Sequence, residues 1–164
     1  MRRLAPVLLA ALLALAACSR APEPLPPETF RNVSAPIWSN AGFDPSSLTG
    51  EWRQVAGFGA ACGGGGLTFT PGRVEGSLCL NGQTRRISGP FAVTGPARLL
   101  PAGEGEPWWI LWIDINQRSM AIGTPSGRFG FVLDRTGAIS PDRLTAAREI
   151  FDWNGYDTAR LRAF

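Results

Sequence analysis

The chain has 164 residues, enough for one domain, with 45% hydrophobic and 18% charged residues, three cysteines and no histidine. All sixteen basic residues are arginine; beyond Arg2 and Arg3, which precede an apolar run, fourteen arginines face thirteen acids. That near-neutral balance, with only Arg85-Arg86 adjacent, speaks against nucleic acid as a partner. The usual general base at neutral pH is missing and zinc would have to be held by carboxylates, so neither an enzyme nor a metal or cofactor protein is expected.

The N-terminus, "MRRLAPVLLAALLALAACSR", joins a basic start to a short apolar stretch, the pattern of a secretory signal. A membrane span would need ~20 apolar residues. Leu15-Ala16-Ala17-Cys18 resembles the lipobox of bacterial lipoproteins, in which the cysteine is lipidated and becomes the new N-terminus. Ser19 resembles the sorting signal for outer-membrane delivery. The expectation is a signal peptide over 1–17, a lipid on Cys18 and a domain anchored in the outer membrane, facing the periplasm. Residues 18–43 are proline-rich and aperiodic, reading as a semi-rigid tether with Trp38 folded back on the domain.

From Asp44 the texture changes. "DPSSLTG" predicts one helical turn with Pro45 at its first position. Eight short β-type runs follow: "EWRQVAGF", "GLTFT", "RVEGSLCL", "QTRRISGPFAVTG", "ARLLPAG", "WWILWIDI", "SMAIGTP" and "FGFVLDR". Their separators are turn dipeptides such as "PG" and "NG", and "LNGQ" suits a two-residue hairpin. Eight strands at such spacing predict an antiparallel barrel or sandwich. One helix comes last: Ser140 as N-cap, Pro141 first, Asp142 at the positive end of the dipole, and Gly155 at the C-terminus. Leu144, Ala147, Ile150 and Phe151 form its apolar stripe, and "YDTARLRAF" returns to extended structure.

In "WWILWI", strict alternation puts Trp108, Ile110 and Trp112 on one face and Trp109, Leu111 and Ile113 on the other. Both faces are apolar, which suits a closed barrel with a helix on its outside better than a sandwich with a wet face. Eight strands enclose a space that side chains fill or that holds one small ligand.

These features are similar to the lipocalins, especially the lipoprotein lipocalins of bacterial outer membranes. Gly50-Glu51-Trp52 resembles the family's Gly-x-Trp at the start of the first strand. "FGFVLDRTGAISPDRLTAAREIF" resembles its last barrel strand, ending in arginine, and the helix after it; "GYDTARLRAF" is similar to the closing segment. The resemblance implies an all-β, eight-stranded antiparallel up-and-down barrel over residues 44–164 with one C-terminal helix. It also implies that Trp52 packs at the closed end under Arg135, a cation–π pair contributing roughly 0.5–2 kcal/mol. In the sixth–seventh strand turn, Asp114 is kept and Gln117 stands where the family often has tyrosine.

Cys62 and Cys79 remain once Cys18 is set aside. An even count in a secreted chain reads as a disulfide, against which a metal site or a reactive thiol lacks partner residues. "CGGGGL" lacks the Gly-Lys-Ser/Thr element of a phosphate loop and reads as a connecting loop. Asp114 and Asp134 read as turn and ion-pair residues rather than an acid–base pair. The candidate ligand-binding residues are Gln54, Ala56, Trp108, Ile110 and Trp112, lining an apolar cup for a hydrophobic molecule that the resemblance implies to be a fatty acid (palmitate, for example) or lysophospholipid, in lipid storage, transport or repair. If the tryptophans instead fill the interior, a protease or lysozyme inhibitor or envelope adaptor, like the small META-type lipoproteins that "LTFTPGRVEGSLCLNG" resembles, becomes the reading.

Overall fold

The computed structural model describes residues 27–164; the signal peptide, Cys18 and the first part of the tether lie outside the described residues. A 3-10 turn, Pro45–Leu48, is capped by Asp44, whose side chain accepts from Ser46 N–H. Nine strands follow: β1 (Gly50–Phe58), β2 (Gly66–Thr70), β3 (Arg73–Leu80), β4 (Gln83–Gly95), β5 (Arg98–Pro101), β6 (Trp108–Ile113), β7 (Ser119–Gly123), β8 (Gly130–Asp134) and, after helix α1 (Pro141–Trp153), β9 (Leu161–Ala163).

Each of β1 to β8 pairs antiparallel with its neighbour in sequence, and β1 closes the barrel by pairing with both β2 and β8. This is a closed eight-stranded up-and-down barrel with one helix after it, and closure pairs the two outer strands that an open sheet would leave with bare edges. β1 meets β2 only through its first half, Gly50–Arg53. Its second half instead pairs with β9, with Phe58 opposite Leu161 and Ala56 opposite Ala163. The C-terminal tail thereby fills the gap where β1 and β2 separate.

Two apolar clusters divide the molecule. The inner one holds Trp52, Leu78, Trp108, Ile110, Met120 and Phe131, among others, inside the barrel. The outer one joins α1, through Ala147 and Phe151, to Val55, Phe58, Leu111, Ala121 and Val132 on the wall. Phe58 sits at its centre, with ring centroids 5.0 Å from Phe151 and 4.9 Å from Tyr156. Helix α1 ends in paired reverse hydrogen bonds, Gly155 N–H to Asp152 O and Tyr156 N–H to Phe151 O, with Gly155 at φ 80° as this terminator requires. Ser140 does not cap the helix with its side chain; its Oγ accepts from Arg143 Nε instead.

The proline-rich segment departs from the expected tether. From Phe30 it is a strap packed along the barrel, with Phe30, Arg31 and Phe43 buried. Arg31 donates to the carbonyls of Asn154, Pro125 and Ala35, so each nitrogen of its buried guanidinium has an acceptor. Trp38 is fixed through its backbone, yet its side chain stays exposed.

Candidate functional site

The barrel has a closed end and a mouth. At the closed end Trp52 is buried, and its Nε1 donates to Leu48 O at 2.7 Å, so the 3-10 turn and the indole seal the floor together. The Arg135 guanidinium carbon lies 4.1 Å from the centre of the Trp52 ring. Its three donors reach Ser47 O, Thr49 O and Gln117 O. One side chain thus joins the entry turn, the β6–β7 turn and the end of β8. Gln117, in the left-handed region at φ 55°, serves here through its carbonyl alone.

Beside the floor, Asp134 accepts from Ser119 Oγ at 2.6 Å and from Arg143 Nη1 at 3.2 Å. Burial opposes its charge, but the hydrogen bonds from Ser119 and Thr136 and the Arg143 charge outweigh it, holding the carboxyl below the usual range. Asp114 accepts from the N–H groups of Arg118 and Ser119, so both acids do turn and ion-pair work.

The interior above the floor is filled. Val74, Leu78, Leu99, Trp108, Ile110, Met120, Ile122, Phe131 and Leu133 have 0% of their surface accessible. No void large enough for a water molecule therefore touches them. Trp108 packs edge-on against Phe131, with centroids 5.4 Å apart. Its Nε1 is buried and has no hydrogen-bond partner among the described residues, which leaves a donor at the cost of a lost hydrogen bond.

The five candidate ligand residues are not brought together. Trp108 and Ile110 are inside. Trp112 and Ala56 belong to the outer cluster, because β6 shifts register between Ile110 and Trp112 and β1 between Gln54 and Ala56. Each extra residue moves the rest of its strand to the opposite face. Ile113, not Trp112, therefore packs on the interior. Gln54 is buried, and its amide closes a two-way bridge to the backbone of Cys79, donating to O at 2.9 Å and accepting from N–H at 2.7 Å. It stands in for a strand partner where β3 runs beyond β2.

The mouth carries the residues that sequence reasoning missed. A cleft of about 420 Å³ is lined by Arg85, Glu104, Glu106, Ser126, Arg128 and Phe129. Arg85 pairs with Glu104 at 2.7 Å and lies 6.0 Å from the Phe129 ring; Glu106 accepts from Ser126 N–H. Phe129 is buried among the interior residues and stacks toward Phe131, so it is the plug between the cleft and the core. The one available signal was "RFGFVLD", in which an apolar residue directly after an arginine precedes the last strand. A larger concavity, about 720 Å³, lies on the outer wall beside Thr68, Glu75, Thr84 and Arg86.

The Cys62–Cys79 disulfide pins the β1–β2 connection to β3 at this end. That connection is tightly packed: a Cβ on Gly65 would sit 2.1 Å from Ser77 O, so only glycine allows the approach. Behind the mouth, Tyr156 accepts from Thr124 N–H and donates to Phe129 O. Burial pushes its hydroxyl up to about 12, so it stays a neutral strut for the β7–β8 loop.

The profile of the lipocalin-like domain family matches residues 92–164, from β4 to the end of the tail. Among solved structures, lobster apocrustacyanin A1 aligns with a TM-score of 0.54 at 13% identity, covering 73% of this chain and 78% of that one. Apocrustacyanin C2 aligns at 0.55 and 15% identity, covering 88% and 92%. The siderocalin Ex-FABP, described as functioning through dual ligand specificities, aligns at 0.53 and 12%, covering 72% and 93%. No curated protein sequence matches the chain.

Proposed function

We propose that this lipocalin-family barrel is a membrane-anchored binding protein for a small hydrophobic molecule with an anionic head, such as a fatty acid or a lysophospholipid. The observation that carries the reading is the mouth: an apolar interior stoppered by Phe129, with Arg85 and Arg128 beside the stopper. A carboxylate or phosphate can replace Glu104 as the acceptor for Arg85. The acyl chain then follows as Phe129 swings out and side chains such as Met120, flexible and unbranched, repack around it. The free Trp108 N–H is a donor that a ligand oxygen can take. Because the interior is filled, binding exchanges packed contacts for ligand contacts, which favours modest affinity. Lipocalin-fold relatives support ligand carrying as the class of activity, the siderocalin through its two specificities.

Anchoring rests on Leu15-Ala16-Ala17-Cys18 and Ser19, which support a lipid on Cys18 and a place on the periplasmic face of the outer membrane. The role that fits is lipid storage, transport or repair close to the membrane. The filled interior favours one second reading, an inhibitor or envelope adaptor that presents the mouth loops to another protein from a rigid barrel.

The deciding experiment extracts the purified, oxidised mature protein with organic solvent and analyses the extract by mass spectrometry. The emptied protein is then titrated with palmitate and lysophosphatidylcholine while Trp emission is followed. Co-purified lipid in stoichiometric amount, or saturable one-to-one quenching that weakens in R85A/R128A, is the expected result. A clean extract with flat titrations would sink lipid binding and leave the adaptor reading.

A further inference from the structure

The barrel leaves large apolar side chains exposed where α1 ends. Val33 is 62% exposed, Trp38 66% and Trp153 69%. The backbone gathers them at one place: Trp38 N–H donates to the side chain of Asn154, the residue after Trp153. Asn32, next to Val33, donates its N–H to Gly155 O. The other exposed large apolar residues stand singly, Val93 and Ile115 toward the closed end and Phe164 at the end of the tail beside β1, and scattered residues of that kind need no explanation.

This place is also where the described chain begins. Phe30 N–H donates to Gly127 O in the mouth loop between β7 and β8, and Asp157 N–H donates to Phe30 O. The strap therefore enters at the mouth end and runs down toward the floor, where Ser39, next to Trp38, donates its hydroxyl to Pro96 O in the β4–β5 turn. From Cys18 to Pro27 is nine peptide steps, a reach of at most about 30 Å at ~3.5 Å per residue. Charge at this place is mixed: Asp152, Asp157 and Arg160 line one groove there with Phe30, Asn32 and Gly155. A one-signed electrostatic attraction is absent, whereas tryptophan is the side chain best suited to the headgroup boundary of a bilayer.

We propose that Val33, Trp38 and Trp153 dock on the bilayer to which the chain is tethered, and so hold the flank of the barrel that carries the strap and the end of α1 against the membrane surface. The inference rests on the reading of Cys18 as the lipid anchor. The anchor supplies attachment, and the patch supplies orientation.

The test uses the mature chain with Cys18→Ser, exported so that Cys62 and Cys79 pair, mixed with phosphatidylcholine vesicles with and without phosphatidylglycerol. Partition is measured by co-sedimentation and by quenching of Trp emission with brominated lipid. The expected result is binding to both vesicle types, little changed by salt, and weakened about tenfold or more in W38A/W153A with thermal unfolding unchanged. No partition, or equal partition by the double variant, would overturn the proposal. So would a concentration-dependent dimer abolished by W38A/W153A in place of vesicle binding, since it would assign the patch to a second copy. Acylation of Cys18 is read separately from the mass of the N-terminal peptide of the wild-type protein. An unmodified Cys18 would defeat the anchor, whatever the vesicles show of the patch.

Discussion

The two ends of the barrel are closed by different means. At the floor, a buried tryptophan and one arginine tie together segments far apart in sequence: Arg135 reaches back to Ser47 and Thr49, and its acceptors are backbone carbonyls that cannot titrate. At the mouth the ties are less uniform: the Cys62–Cys79 bond, the Gln54 bridge to Cys79, a partly exposed ion pair between Arg85 and Glu104, and the strap's hydrogen bonds from Phe30 to Gly127 O and from Arg31 to Pro125 O. Joining the two ends of the barrel sequence is what closes the sheet, so the floor belongs to the fold itself. Loosening at the mouth would leave the barrel closed, as the proposed ligand gate requires.

If that division is right, Trp52→Ala is the most damaging change. It removes a fully buried indole, its hydrogen bond to Leu48 O and the surface under Arg135 together. A loss of about 3–5 kcal/mol is expected, read from the urea midpoint at unchanged slope. A loss under about 1 kcal/mol would mean that the 3-10 turn and its neighbours close the floor without it.

Second in size is C62S/C79S. Freeing a loop with a separation of 17 residues costs about 3 kcal/mol in the chain-entropy view. Hydrogen exchange sharpens the comparison: amides of 59–65 and 79–82 should exchange much faster, while those of 48–53 change only with global stability. Equal local loosening at the floor would show that the two ends are one cooperative unit.

The same division explains what the sequence disclosed. The eight strands, the helix and its Gly155 terminator are written in local signals, turn dipeptides and periodicity that need no tertiary partner to be read. Trp52 and Arg135 stand beside such signals, one at the head of the first strand and one at the end of the last. The bulges have no local mark: in "WWILWI" every residue is apolar, so nothing in the run says where alternation slips, and Trp112 moves outside by the demands of pairing with β7. Gln54 reads as an ordinary polar residue until β3 is seen to outrun β2. Phe30 and Arg31 are hidden among prolines, and their burial depends on surfaces made by α1 and the mouth loop. The mouth cluster draws on β4 and on two separate connections, β5–β6 and β7–β8, which only closure of the barrel brings together.

The smallest of the three effects concerns charge, and it separates the ends by pH. Asp134 sits beside the floor with its carboxyl held below the ordinary range, whereas an unfolded aspartate titrates at about 3.9. Above that value the folded and unfolded chains both carry the charge, and the interactions with Ser119, Thr136 and Arg143 contribute fully. As pH falls below it the unfolded chain takes up the proton first, and the contribution is lost as pH passes through the depressed folded value. Asp134→Asn keeps the shape and removes the charge, so it should cost about 1–3 kcal/mol at pH 7 and progressively less below pH 4. Urea titrations of both proteins between pH 2 and pH 7 measure the gap directly. A gap that stays constant with pH would mean that the carboxylate acts through shape and hydrogen bonding rather than through its charge. Arg143 would then be held by Ser119 and Ser140 with little help from its ion pair.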